Sequence, residues 1–279
     1  MDIILKISQE LMCRQEQVAA AVKLIDEGCT IPFIARYRKE ATGSLNDEQL
    51  RTLDERLTYL RGLEDRKEKV IASIEEQGML TDELKKSILA AETLVAVEDL
   101  YRPYKPKRKT RATIAQSKGL TGLANIISLQ MTNKPISEEA LAYVSEEKEV
   151  HSAEEAIAGA MDIIAESISD NAEYRTEIRS LTMDKGILMT TAKDPEAESV
   201  YEMYYDFSTP VRKMTGYRTL AINRGEKEKF LSVKIEAPVD EITGYLIRQV
   251  IVRDNPNTND ILRNTITDSY ERLIAPSIE

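Results

Sequence analysis

Leu50, Leu53, Leu57 and Leu60 recur at the spacing of one α-helical face, and Val70, Ile71 and Ile74 prolong the stripe toward Gly78. Asn46, followed by Asp47, Glu48 and Gln49, supplies a capping-box variant with acids at the positive end of the helix dipole. The pattern predicts one helix of roughly 30 residues, about 45 Å long at the standard rise. A chain built round such a helix reads as mainly α. With 11 glycines and no tryptophan beside long Leu/Ala/Glu/Lys/Arg stretches, a β-sandwich or a doubly wound sheet is disfavoured.

Other elements follow from the same signals. Val18, Val22 and Ile25 with the alanines at 19–21 predict a helix ended by Gly28, a residue able to take the left-handed conformation. Thr30 then caps a second helix with Pro32 in its first turn, giving a helix–turn–helix outline. Thr81 starts a shorter helix to about Val97. Ser152 with Glu155 forms a further capping box before Ile157, Met161, Ile164 and Ile168. From Gly186 the texture changes: GILMTTAK and KFLSVKIEA are β-rich, and Leu231, Val233 and Ile235 alternate, which predicts a short β-sheet. The expected organisation is a multi-helix domain over residues 1–185 and a smaller mixed α/β segment over 186–279. Ser277 resembles the cap of a further helix, so a longer parent protein is expected.

The 279 residues, 42% apolar and 31% charged, are enough for real cores and exclude disorder or a disulfide-stapled miniprotein. No apolar run approaches the roughly 20 residues of a membrane helix, and the first residues carry no signal-peptide pattern. Cys13 and Cys29 lack CxxC spacing, so free thiols in the cytoplasm are expected. A lone histidine, His151, puts Ser-His-Asp triads and multi-His zinc sites out of reach. Asp162, Glu166 and Asp170 share one helix face, but ligands on a single face do not converge on a metal. INRGEKEKF lacks the lysine and hydroxyl of a phosphate loop. No catalytic residue, metal or cofactor is expected.

Charge is segregated. The net charge of −10 equals the excess carried by residues 138–178 alone. Between Asp99 and Glu138 there is no acid, while Arg102, Lys105, Lys107, Arg108, Lys109, Arg111, Lys118 and Lys134 are all basic. Pro103 and Pro106 in LYRPYKPKRK predict an extended basic loop over residues 101–118, flanked by Tyr101 and Tyr104, with a turn and a short helix after it. Lys105, Lys107, Arg108, Lys109 and Arg111 are candidates for phosphate contact, with Tyr104 for stacking on an unpaired base. The competing reading has these cations paired with the acidic helix downstream. Arg36, Arg38 and Lys39, at the end of the second helix of the helix–turn–helix outline, form a second candidate set.

The strings GCTIPFIARYRKEATGSLNDEQL (28–50), VEDLYRPYKPKRKTRATIA (97–115) and YRTLAINRGEKEKFLSVKI (217–235) closely resemble the Tex family of bacterial transcription accessory proteins, related to a eukaryotic elongation factor. The resemblance runs in register over nearly the whole chain and implies the N-terminal part of such a protein, with a helix–turn–helix-like unit. It implies that an RNase H-like domain, helix-hairpin-helix motifs and a C-terminal RNA-binding OB-fold lie beyond this region. Many relatives carry histidine and arginine where Tyr217 and Arg218 stand, so no role of that histidine carries over. The implied function is a non-catalytic scaffold that assists binding of RNA or single-stranded DNA, with the C-terminal domains and RNA polymerase as partners and no membrane association. The alternative is a purely architectural module that docks domains or a protein partner.

Overall fold

The computed structural model describes residues 2–107 and 109–278 and separates into two compact units, Met1–Tyr104 and Lys105–Glu279. Helices dominate both, and the one sheet is short.

The first unit contains α1 (Ile3–Glu10), α2 (Gln15–Asp26), α3 (Ile31–Tyr37), α4 (Asp47–Glu76), α5 (Asp82–Ala90) and α6 (Leu94–Tyr101). The expected long helix is α4, with 30 residues. Asn46 accepts from the Gln49 amide at 2.8 Å and Gln49 accepts from the Asn46 amide at 3.1 Å, closing the predicted capping box. Leu50, Leu53, Leu57, Leu60, Leu63, Val70 and Ile74 form its buried stripe, each contributing roughly 2 kcal/mol of gross burial. Helices α1, α2 and α3 cover its first half, tied there by Arg56–Glu10 and Arg61–Asp26 pairs, and α5 and α6 cover the second. Gly28 ends α2 in the left-handed conformation (φ 85°), as its position predicts.

One element departs from expectation. The helix predicted from Thr81 to about Val97 is two helices, broken at Ala91, which leaves the α region (ψ 132°). Two interactions favour the break. Thr93 is an N-cap in its own right, accepting from the Ala96 amide. Lys67, a lysine 1% exposed within the apolar stripe of α4, donates to the Leu89 carbonyl in the last turn of α5 and to Glu64, both at 2.9 Å. A buried ammonium so satisfied fixes where α5 stops.

The second unit contains α7 (Arg111–Ser117), α8 (Thr121–Leu129), α9 (Ile136–Leu141), α10 (Ala153–Asp170), α11 (Ala172–Lys185), β1 (Ile187–Ala192), β2 (Asp206–Pro210), α12 (Gly216–Lys227), β3 (Leu231–Glu236), α13 (Val239–Val250), α14 (Asn259–Asp268) and, after a π-helical turn over Ser269–Ile274, α15 (Ala275–Ile278). Helix α10 is its axis: α7, α8, α9 and α14 all pack on it. Ile164, Ile168 and Ile178 share one apolar cluster with Ile242, Leu246, Leu262 and Ile266. That shared cluster joins residues on both sides of position 185, and the sheet that follows Gly186 lies within this unit.

The sheet has the order β2-β1-β3, antiparallel throughout, with Thr190 opposite Phe207 on one side and Val233 on the other. β1 and β3 fall in the two β-rich runs, and alternation marks the second of them. Helix α12 packs on β3, and Ile222 and Leu231 close a small core with Tyr201 and Tyr204.

Candidate nucleic-acid interface

Helix α3 has seven residues and two faces. Ile34 is buried, with Ile31 and Ala35 half-buried against the core, whereas Phe33, Arg36 and Tyr37 face outward. Arg36 lies in the last turn and Arg38 at the C-cap, where the negative end of the helix favours cations. The backbone that carries Arg38 and Lys39 is held from behind. Thr42, fully buried, donates through its amide and its hydroxyl to the Arg38 carbonyl at 3.1 and 3.2 Å, and the Ser44 amide donates to the Lys39 carbonyl at 2.7 Å.

Gln17 on α2 completes the hold, its side-chain amide donating to the Thr42 carbonyl at 3.2 Å and the Gly43 carbonyl at 2.8 Å. Gly43 itself has φ 57°, a conformation L side chains rarely adopt, and a β-carbon there would stand 2.8 Å from Gln17 Nε2 and push that side chain aside. Arg36, Arg38 and Lys39 are all exposed and make no hydrogen bond or ion pair through their side chains to a described residue. The Arg38 guanidinium sits 5.3 Å from the centre of the Phe33 ring, a cation–π distance.

The proline-containing basic run looks different from its sequence picture. Helix α6 runs on to Tyr101 and a 3-10 turn takes Arg102–Tyr104, so the non-helical strap is short and ends where Thr110 caps α7. Arg111 is therefore the first residue of a helix and Lys118 its C-cap, and neither lies on a loop. Both tyrosines belong to the core of the first unit. Tyr101 is 8% exposed with its hydroxyl 3.0 Å from Ser73 Oγ, and Tyr104 is half-buried against the same cluster.

Of the five candidate cations over 105–111, the four described ones differ in their surroundings. Lys107 is held by α10, its ammonium reaching Glu166 at 3.1 Å and Asp170 more closely still. Its side chain is 24% exposed and those of the two acids 18% and 11%. Lys105 and Lys109 are exposed and make no side-chain hydrogen bond or ion pair to a described residue. Arg108 lies outside the described residues. Arg111 is exposed, but it stands in the field of Asp162 and Asp268. The competing sequence reading thus holds for Lys107, and the carboxylate row at 162, 166 and 170 is occupied by Arg272 and Lys107. Among the described residues no group of acids, cysteines or histidine is arranged to hold a metal, and no helix is long and apolar enough to cross a membrane.

Around Arg111 two aspartates are driven in opposite directions. Burial pushes the Asp162 carboxyl above its ordinary value despite Arg272 Nη2 at 2.9 Å, whereas the Arg272 hydrogen bonds hold Asp268 below its own. Asp268 therefore contributes stability that is lost as pH falls through its lowered folded value, while Asp162 binds its proton more tightly in the fold and opposes that loss. In an NMR titration the Asp162 carboxyl carbon should turn at higher pH than that of Asp268; a shared midpoint would contradict this assignment.

Sequence reasoning singled out Arg36, Arg38 and Lys39, which are exposed, and did not consider the exposed rings of Phe33 and Tyr37. The available signal was their four-residue spacing, on a helix whose other face carries Ile31, Ile34 and Ala35.

The arrangement can be set beside known proteins. The family described as Tex-like protein N-terminal domain matches residues 1–75, and that described as Tex central region-like matches residues 131–273. The chain is 48% identical over 98% of its length to the uncharacterized protein YdcI of Bacillus subtilis. It is 39% identical over its whole length to the transcriptional accessory protein Tex of Neisseria gonorrhoeae. It is 29% identical over 92% of its length to human S1 RNA-binding domain-containing protein 1. It spans 38%, 37% and 27% of the lengths of these relatives. With the central-region match alone covering more than half of it, the chain belongs to the Tex family.

Proposed function

We propose that this chain is a non-catalytic scaffold of a Tex-like transcription accessory factor that assists in binding RNA or single-stranded DNA. The observation that carries the reading is the set of exposed cations Arg36, Arg38 and Lys39, free of carboxylate partners among the described residues and held on a braced backbone. Lys105 and Lys109 offer a smaller second surface, with Arg111 partly neutralised. The names of the relatives, one a transcriptional accessory protein and one carrying an S1 RNA-binding domain, support a role beside transcription. On this reading the rest of the longer protein supplies the main affinity and the contact with RNA polymerase. A purely architectural role is the second reading, and the Lys107–Glu166–Asp170 contact favours it for that one lysine.

A fluorescence-anisotropy titration with a short single-stranded RNA at low salt separates the two. Saturable binding is expected. Each phosphate contact to a single strand contributes about 0.7 to the slope of log K against log salt, so the α3 surface supplies about −2 and the two strap lysines about −1. No saturable binding at low salt would leave the architectural role.

A further inference from the structure

We propose that Phe33 and Tyr37 form a stacking platform for an unpaired base of a single-stranded nucleic acid. The inference rests on the reading above and adds base contact to phosphate contact. The chain has three phenylalanines and no tryptophan. Phe207 and Phe230 lie against Tyr204 and Tyr201 in the small core beside the sheet. Phe33 is instead 39% exposed and Tyr37 66%.

A single exposed aromatic ring is ordinary, but this pair is not isolated. The ring centres are 5.3 Å apart at an interplanar angle of 45°, and the Arg38 guanidinium caps the Phe33 ring at 5.3 Å. Arg36 and Lys39 flank the pair with free charges. Rings, a guanidinium and unpaired ammonium or guanidinium groups on one braced edge match the two parts of a single strand, flat base faces and backbone phosphates. In a duplex the base faces are covered by their neighbours, so the same edge would meet phosphates alone. An acidic protein segment would satisfy the cations and leave the rings without a specific partner.

The test uses two probes, a uridine dodecamer and a sugar–phosphate dodecamer without bases, titrated against the native chain, Tyr37→Ala and Tyr37→Phe. Stacking of one base is worth about tenfold in affinity. The native chain should bind the uridine strand about tenfold more tightly than the base-free strand. Tyr37→Ala should lose that preference with its salt slope unchanged, and Tyr37→Phe should keep it. Tyr37 is largely exposed, so its replacement leaves the core intact; Phe33→Leu provides a second variant that retains bulk without a ring. Equal affinity of the native chain for both strands, or unchanged preference in Tyr37→Ala and Phe33→Leu, overturns the platform while leaving phosphate contact standing. Absence of binding to either strand removes both readings together.

Discussion

Lys107→Ala is expected to lower the unfolding free energy of the Lys105–Glu279 unit by about 3 kcal/mol and to leave RNA affinity nearly unchanged. The ammonium lies between Glu166 and Asp170 on α10, and the three side chains are at most 24% exposed. Removing the cation leaves two carboxylates close together, mostly shielded from water and without that partner. The lower end of the range for broken buried pairs is appropriate because some solvent still reaches all three groups. The companion Lys107→Ala/Glu166→Gln should recover part of the loss, since it removes one of the stranded charges. Lys105→Ala and Lys109→Ala should each stay within about 0.5 kcal/mol of the native chain in urea unfolding. Equal stability for all three single variants would show that Lys107 is as solvated as its neighbours.

Gln130→Ala should cost a similar amount for a different reason. Gln130 ends α8 in the left-handed region (φ 54°) and is 3% exposed. Its side-chain amide donates to the Val250 carbonyl at 2.8 Å, and its side-chain carbonyl accepts from the amides of Val252 and Arg253 at 3.1 and 3.0 Å. Asn255 adds to the clamp by donating to the backbone carbonyls of Gln130 and Thr132. Truncation orphans three backbone groups where α13 turns toward α14. At about 1 kcal/mol for each, the loss is about 3 kcal/mol. Gln130→Gly loses the same bonds but relieves the left-handed strain, so it should unfold about 1 kcal/mol later than Gln130→Ala. The reverse order would mean that the left-handed backbone at this position carries little strain.

Much of the fold is legible in the sequence because local signals agree with tertiary packing. The leucine stripe and the Asn46 cap define α4, Gly28 ends α2, and alternation at Leu231, Val233 and Ile235 gives β3. Where reading failed, a contact distant in sequence decided the outcome. The break at Ala91 depends on Lys67, 22 residues before its acceptor Leu89. The strand Asp206–Pro210 has little apolar alternation and exists through pairing with β1. The cluster joining α10 to α13 and α14 across residue 185 likewise has no local signature.

The candidate site follows the same rule. Proline and charge made the strap conspicuous, yet nothing local indicated that Lys107 would reach residues 59 and 63 positions away, the latter separation seen at Asp170. By contrast, the three cations at the end of α3 stay open to solvent, and Thr42 and Gln17 hold the backbone of the segment that follows.

The central claim is that the cations at the end of α3 meet the phosphates of a single strand. It is tested most directly by the salt dependence of RNA affinity in the variant Arg36→Ala/Arg38→Ala/Lys39→Ala, beside the native chain. All three side chains are exposed, so the variant should fold. The slope of log K against log salt should flatten by about 2 relative to the native chain. An unchanged slope, with affinity intact, would contradict the claim.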